Sequence, residues 1–199
     1  MRRDPADLSW PLRPERCPCD VHFVEYLRTH RIGGRSIFHF GSGEHHLVGR
    51  ENAVAAPNDI LAVTASRREH ETYMALVASD PFVARHYHVL FADIYMLAPR
   101  LLPMFDLVTL FHLHEFWDAE RHRYARHDDA SLVRALLDRL SPGGLLLFYE
   151  GSDGFARTRL LLAQLIETGA LAASGRFASL LLYRRASHER AASPSPGAG

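Results

Sequence analysis

Residues 105–116, FDLVTLFHLHEF, and residues 136–150, LLDRLSPGGLLLFYE, decide how this chain folds. Phe105–Phe111 is continuously apolar except for Asp106 and Thr109, and Leu145–Tyr149 has no polar interruption. Neither run alternates polar with apolar, as a strand with one wet face does. Both read as strands buried on both faces. Between them Leu132, Val133, Leu136, Leu137 and Leu140 recur at helical spacing over 130–140, and Ser141-Pro142-Gly143-Gly144 stops that helix. Strand, helix, turn and strand in that order is the repeating unit of a parallel sheet covered by helices.

Moving outward, Ser36–Phe40, Ile60–Thr64 and His88–Phe91 are three more short β-like runs. Arg67–Ala78, with Tyr73, Met74 and Val77 on one side, and Phe155–Thr168 are helical in pattern. Phe177–Arg184 reads as a last strand. It follows Ala170–Ser174 so closely, across Gly175, that an antiparallel hairpin at the sheet edge is expected. Asp20 is positioned to cap a short amphipathic helix carrying Val21, Phe23, Val24, Tyr26 and Leu27, ended by Gly33-Gly34. The fold class expected is α/β, a doubly wound, mostly parallel sheet of the seven-stranded type with an antiparallel edge hairpin. Residues 1–19, rich in Pro and Arg, read as an irregular arm; 20–185 as one domain; 186–199, ending SPSPGAG, as a disordered tail. In such sheets ligands lie outside the carboxyl ends of the strands. Gly41–His46, Thr64–Ser66, Asp93 and Phe111–Glu115 are therefore expected to converge on one crevice.

Composition narrows the function classes. With 23 basic and 23 acidic residues the chain is neutral, which disfavours a dedicated nucleic-acid binder. Arg121, Arg123 and Arg126 with Tyr124 form a local basic patch, but Glu120, Asp128 and Asp129 flank it, as on a solvated helix face. No apolar stretch reaches about 18 residues, so no membrane span is expected. The first residues lack the apolar segment of a secretory signal, and a cytoplasmic location is the expectation. Cys17 and Cys19 are the only cysteines. Their Cys-Pro-Cys spacing is tight for a disulfide and no second pair completes a zinc site, so two free thiols and no metal are expected. If 113–123 were helical, His114, Asp118 and His122 would form a stripe at four-residue spacing, but no metal signature supports it.

In this order, SIFHFGSGEHH (36–46), ILAVTAS (60–66), HVLFADIYML (88–97) and the two segments quoted first resemble class I S-adenosylmethionine-dependent methyltransferases. The resemblance spans about residues 21–183. It implies the Rossmann-like methyltransferase fold and S-adenosylmethionine as cofactor. Gly41, Ser42 and Gly43 would then hold the methionine moiety, Thr64 and Ser66 would flank the ribose, and Asp93 would meet adenine. His112 or His114 would face the substrate as a catalytic base. Asp106, at the start of its strand, would be structural. The implied activity is methyl transfer to O, N or C of a small molecule, in a pocket open to completion by a homodimer or partner subunit. No Asn/Asp-Pro-Pro-Tyr/Phe motif is present, which argues against exocyclic amines of DNA bases as acceptors. Three positions depart from the pattern. His39 stands where an acidic residue precedes the first glycine, His45 replaces the third glycine, and Thr64 replaces the carboxylate that closes the second strand. Glu44, Ser66 and Glu69 are the residues able to compensate. The alternative is a catalytically degenerate fold that acts as a binding or scaffold partner.

Overall fold

The computed structural model describes residues 9–52, 55–120 and 123–186. The expectations for residues 1–8 of the arm, for 187–199 of the tail, and for Arg121 and His122 lie outside these.

Among the described residues seven strands form one sheet: β1 (Ser36–Phe40), β2 (Asp59–Thr64), β3 (Tyr87–Phe91), β4 (Phe105–Thr109), β5 (Leu140–Tyr149), β6 (Leu171–Phe177) and β7 (Leu180–Arg185). Their spatial order is β3-β2-β1-β4-β5-β7-β6. The first five are parallel; β7 runs antiparallel to both β5 and β6. The reversal from β1 toward β2 on one side and β4 on the other is the switch point of a doubly wound sheet.

The unbroken apolar runs serve two cores at once. Phe38, Val108, Leu146 and Phe148 face a core completed by Leu132, Val133 and Leu136 of α5 (Asp129–Leu137) and Leu161, Leu162 and Leu165 of α6 (Phe155–Glu167). Ile37, Ala62, Leu107 and Leu147 face the other, with Phe23, Val24 and Leu27 of α1 (Cys19–Thr29) and Tyr73 and Leu76 of α3 (Arg67–Ser79). Neighbouring residues on one strand thus feed opposite layers, and each buried Leu or Phe contributes about 1.5–3 kcal/mol.

Several boundaries differ from the sequence reading, each for a local reason. Helix α5 begins under a capping box in which Asp128 accepts from Ser131 N at 2.7 Å and Ser131 Oγ accepts from Asp128 N at 3.0 Å. It ends at Leu137, and Leu140 already pairs with Phe105 in the sheet. The Pro-Gly-Gly segment lies within the span of β5, where the register with β4 shifts. A Cβ at Gly144 would stand 2.8 Å from Asp106 O, so only glycine fits there. Asp20 sits in the first turn of α1 and Pro18 takes the N-cap position. A short helix, α4 (Pro81–His86), was not anticipated; Asp80 caps it by accepting from Phe82 N and Val83 N. The β6–β7 turn falls at Ala178, with φ 49°, while Gly175 marks a register shift. The described part of 113–123 is made of turns and bends, so His114 and Asp118 do not lie on a helix; His122, the third member of the expected stripe, lies outside the described residues. Asp106 is structural, as expected: it accepts from Ser36 N at 3.0 Å.

Candidate functional site

A cavity of about 750 Å³ opens along the carboxyl ends of β1 to β5. Its walls are the segments that the strand order brings together: Phe40, Gly41 and Gly43, Val63–Ser66, Ala92–Tyr95, the loop carrying His112 and Glu115, and Tyr149 with Gly151–Asp153. The N-terminal segment forms a further wall through Trp10, Leu12, Arg13 and Cys17. Trp10 stacks edge-on against Phe116 with centroids 5.5 Å apart, and its carbonyl accepts from Glu44 N at 3.1 Å. The described part of the arm is therefore irregular in structure yet held against the site.

Gly41 and Gly43 adopt φ values of +86° and +55°, so the turn after β1 needs residues that tolerate the left-handed region. Gly41 has open space where a Cβ would be, whereas a Cβ on Gly43 would stand 2.3 Å from the His45 ring. His45 occupies the room that a third glycine would leave, and its Nδ1 accepts from Leu47 N at 3.1 Å. The helix that follows, α2 (Leu47–Arg50), is a single turn. His46 is buried: its Nδ1 lies 3.2 Å from Tyr87 Oη and its Nε2 3.0 Å from Glu69 O. Burial pushes its pKa down to about 4.

Two carboxylates stand where the motif positions lack them. At the end of β2, Glu69 is 2% exposed and comes from the first turn of α3. Its Oε2 accepts from Thr64 Oγ1 at 2.6 Å and from Ser42 Oγ at 3.3 Å, and its Oε1 from Trp10 N at 3.3 Å. Burial raises its pKa despite these donors. Ser66 caps α3 by accepting from Glu69 N at 3.3 Å. Beside β1, Asp20 of α1 places Oδ1 3.6 Å from His39 Nε2 and Oδ2 3.8 Å from His45 Nε2. Burial raises the Asp20 pKa to about 7 and lowers that of His39 to about 3. His39 stacks on Phe23 and its Nδ1 lies 2.7 Å from Thr109 Oγ1; Nε2 has no hydrogen-bond partner among the described residues. Glu44 is taken by Arg68 at 2.9 Å.

Asp93 lines the cavity and also caps the 3₁₀ turn Ile94–Met96, accepting from Tyr95 N at 2.9 Å. Its other oxygen accepts from Tyr124 Oη at 2.7 Å.

At the far end, His112 points Nε2 toward Cys17 Sγ at 3.6 Å and Cys19 Sγ at 3.7 Å, the two sulfurs being 3.4 Å apart. Its Nδ1 faces Glu115 Oε1 at 3.0 Å. Hydrogen bonding from Cys19 and the nearby His112 lowers the Cys17 pKa to about 4, against burial. Burial opposes a charge on His112, yet Cys17 and Glu115 together hold its pKa up to about 10. Both cysteines are free, as expected, but they belong to the site. His114 does not: with φ 67° it turns away, and its Nδ1 lies 3.1 Å from Thr158 Oγ1 of α6.

The structure thus gathers Gly41, Gly43, Thr64, Ser66, Asp93 and His112 on one cavity, with Ser42 behind it and His114 outside. The sequence reading missed the roles of Asp20, Cys17 and Cys19. The Cys-Pro-Cys motif was visible, but its partner His112 is 93 residues further on, and nothing local links them.

No family model matches the sequence, and no curated protein matches it. Solved structures do. A candidate S-adenosyl-L-methionine-dependent methyltransferase from Methanococcus maripaludis is 14% identical over 87% of this chain and 88% of its own, with a TM-score of 0.61. The ribosomal protein L11 methylase of Lactobacillus delbrueckii subsp. bulgaricus is 15% identical over 89% and 81%, TM-score 0.59. Magnesium protoporphyrin IX methyltransferase of Synechocystis PCC 6803, solved with bound S-adenosylmethionine, is 12% identical over 83% and 76%, TM-score 0.55. At these identities the likeness is one of architecture: the chain has the class I S-adenosylmethionine-dependent methyltransferase fold.

Proposed function

We propose that this chain binds S-adenosylmethionine in the cavity along β1, β2 and β3 and transfers its methyl group to a small-molecule acceptor. The observation that carries the reading is the buried Glu69 carboxylate, which Thr64 and Ser42 hold at the end of β2. The fold's relatives act on varied acceptors, so the fold leaves the acceptor open.

The residues present suit the cofactor. The cavity volume, about 750 Å³, is within the roughly 300–1,000 Å³ usual for ligand pockets. Glu69 can accept from ribose hydroxyls through Oε1, where Trp10 N–H is the group already bound. Asp93 can accept from an exocyclic amine while still capping its turn. Gly41, with open space at its missing Cβ, lets the chain approach a ligand closely. When bound, S-adenosylmethionine supplies a methyl carbon already activated by its sulfonium. The protein then has to orient and enclose. Trp10 and Phe116 close one side of the cavity against water, and Glu115 and Tyr149 offer polar groups to the acceptor, both ring nitrogens of His112 being taken by Glu115 and the two thiols. His114, outside the cavity, has no part in this reading. The N-terminal segment lines the cavity through Trp10, Leu12, Arg13 and Cys17, and a walled pocket of this kind suits a small-molecule acceptor.

A second reading, a fold retained for binding a partner, is favoured by one observation: the His45 ring fills the loop beside Gly43. Gly43→Asp separates the two. Loss of S-adenosylmethionine binding in a folded variant supports the enzyme; the absence of any binding in the wild type supports the partner protein.

A further inference from the structure

We infer that Cys17, Cys19 and His112 form a site for a divalent transition metal, zinc by its donor chemistry, at the acceptor end of the cavity. The three ligand atoms converge on one point. Each lies within 4.8 Å of the others, with Sγ–Sγ 3.4 Å and the two Sγ–Nε2 separations 3.6 and 3.7 Å. A tetrahedral zinc, with bonds of about 2.3 Å to sulfur and about 2.0–2.1 Å to nitrogen, sets its ligand atoms about 3.5–3.8 Å apart. The cluster therefore matches three corners of the tetrahedron with adjustments of a few tenths of an ångström.

The surroundings fit a metal ligand set. Glu115 takes the His112 Nδ1 side at 3.0 Å, which turns Nε2 toward the sulfurs. Glu115 is itself fixed by Ser152 Oγ and by Asp153 N at 3.1 Å. Pro18 holds the two thiols in place across the start of α1, and Cys17 N is bonded to Arg13 O at 2.9 Å. A thiol pair with one imidazole selects a borderline or soft ion such as zinc over magnesium or calcium.

Cys17, His112 and Glu115 alone would also resemble an activated nucleophile with its base and orienting acid. The second thiol argues against that. A nucleophile has no use for Cys19 Sγ at 3.7 Å from the same nitrogen, whereas a metal needs it. Because all three residues line the cavity, three protein ligands leave one coordination position for a donor from within it, the pattern of catalytic rather than structural zinc. The inference does not depend on methyl transfer.

The test uses the full chain, reduced and free of affinity tags. Elemental analysis is expected to find one zinc per chain. Cobalt(II) added to metal-free protein should give a thiolate-to-metal charge-transfer band and the visible bands of tetrahedral coordination. Cys17→Ser, Cys19→Ser and His112→Ala should each weaken zinc binding at least about 100-fold, and Glu115→Gln about tenfold. His88→Ala, on the exposed side of β3, should leave it unchanged. Circular dichroism checks that each variant folds. Should a variant not fold, protection of the wild-type thiols from alkylation by zinc gives the same answer. The inference is overturned if folded, reduced protein shows no cobalt–thiolate band, if the band survives either serine substitution, or if zinc leaves alkylation unchanged. Recovery of a Cys17–Cys19 disulfide that persists in reductant overturns it as well.

Discussion

The Thr64 hydroxyl donates to Glu69 Oε2 at 2.6 Å, and this contact brings a carboxylate to the end of β2 from the neighbouring helix. The strand end itself has only a hydroxyl to offer a ribose. Glu69→Gln keeps the volume and removes the charge. A hydrogen bond to a charged group is worth about 1.5–3 kcal/mol, so S-adenosylhomocysteine affinity should fall about 10- to 100-fold, read by calorimetry. Unchanged affinity in a folded Glu69→Gln protein would remove Glu69 from the ribose site.

Gly43→Ala should destabilise the fold by about 1–2 kcal/mol through its left-handed φ of +55°, and further through the His45 ring in the path of the new Cβ. Shortening His45 to Gly in the same chain relieves the second cost alone. In a double-mutant cycle followed by thermal melting, the pair should lose less stability than the sum of the single changes. Simple additivity would show that the ring and the loop are not in contact.

Asp93 is expected to read the adenine amine. Wild-type protein should prefer S-adenosylhomocysteine over its deaminated inosine analogue by about tenfold or more, since the analogue places an acceptor against a carboxylate. Asp93→Ala should erase that preference, and should also cost about 1 kcal/mol of stability because Tyr95 N loses its cap. A preference that survives the substitution would assign adenine to another residue.

These residues show what a sequence can disclose. The β4–α5–β5 unit was legible because Leu132, Val133 and Leu136 carry the helical period and the flanking runs do not alternate. The glycine loop, Thr64, Asp93 and His112 could be placed on the cavity because strand ends converge once the topology is known. Asp20 could not be placed. As a residue before an apolar helix it looks like a cap, and only the packing of α1 on the sheet sets it 3.6 Å from His39. Cys17 and Cys19 reach His112 by the same packing, across a separation no periodicity spans. The SPGG segment read as a helix stop, yet Leu140 already belongs to β5, because the strand accommodates its irregular part against Asp106.

Acid should weaken the fold partly through His46. Burial lowers its folded pKa to about 4 from the usual 6.5, so the unfolded chain binds the proton more readily. The stability that neutral His46 contributes is fully present above pH 6.5 and is lost as pH falls toward 4. By pH 5 the loss is about 2 kcal/mol. His46→Gln lacks this linkage. Its destabilisation relative to wild type, measured by urea unfolding, should therefore be larger at pH 7.5 than at pH 5. An equal difference at both values would mean that His46 titrates normally in the folded chain.

Whether the cavity along β1, β2 and β3 holds the cofactor is decided by calorimetric titration with S-adenosylhomocysteine. The wild-type chain should show one site with micromolar Kd, Glu69→Gln about 10- to 100-fold weaker binding, and folded Gly43→Asp none. No heat, together with no thermal stabilisation of the wild type at millimolar ligand, would contradict that binding and leave a methyltransferase fold put to another use.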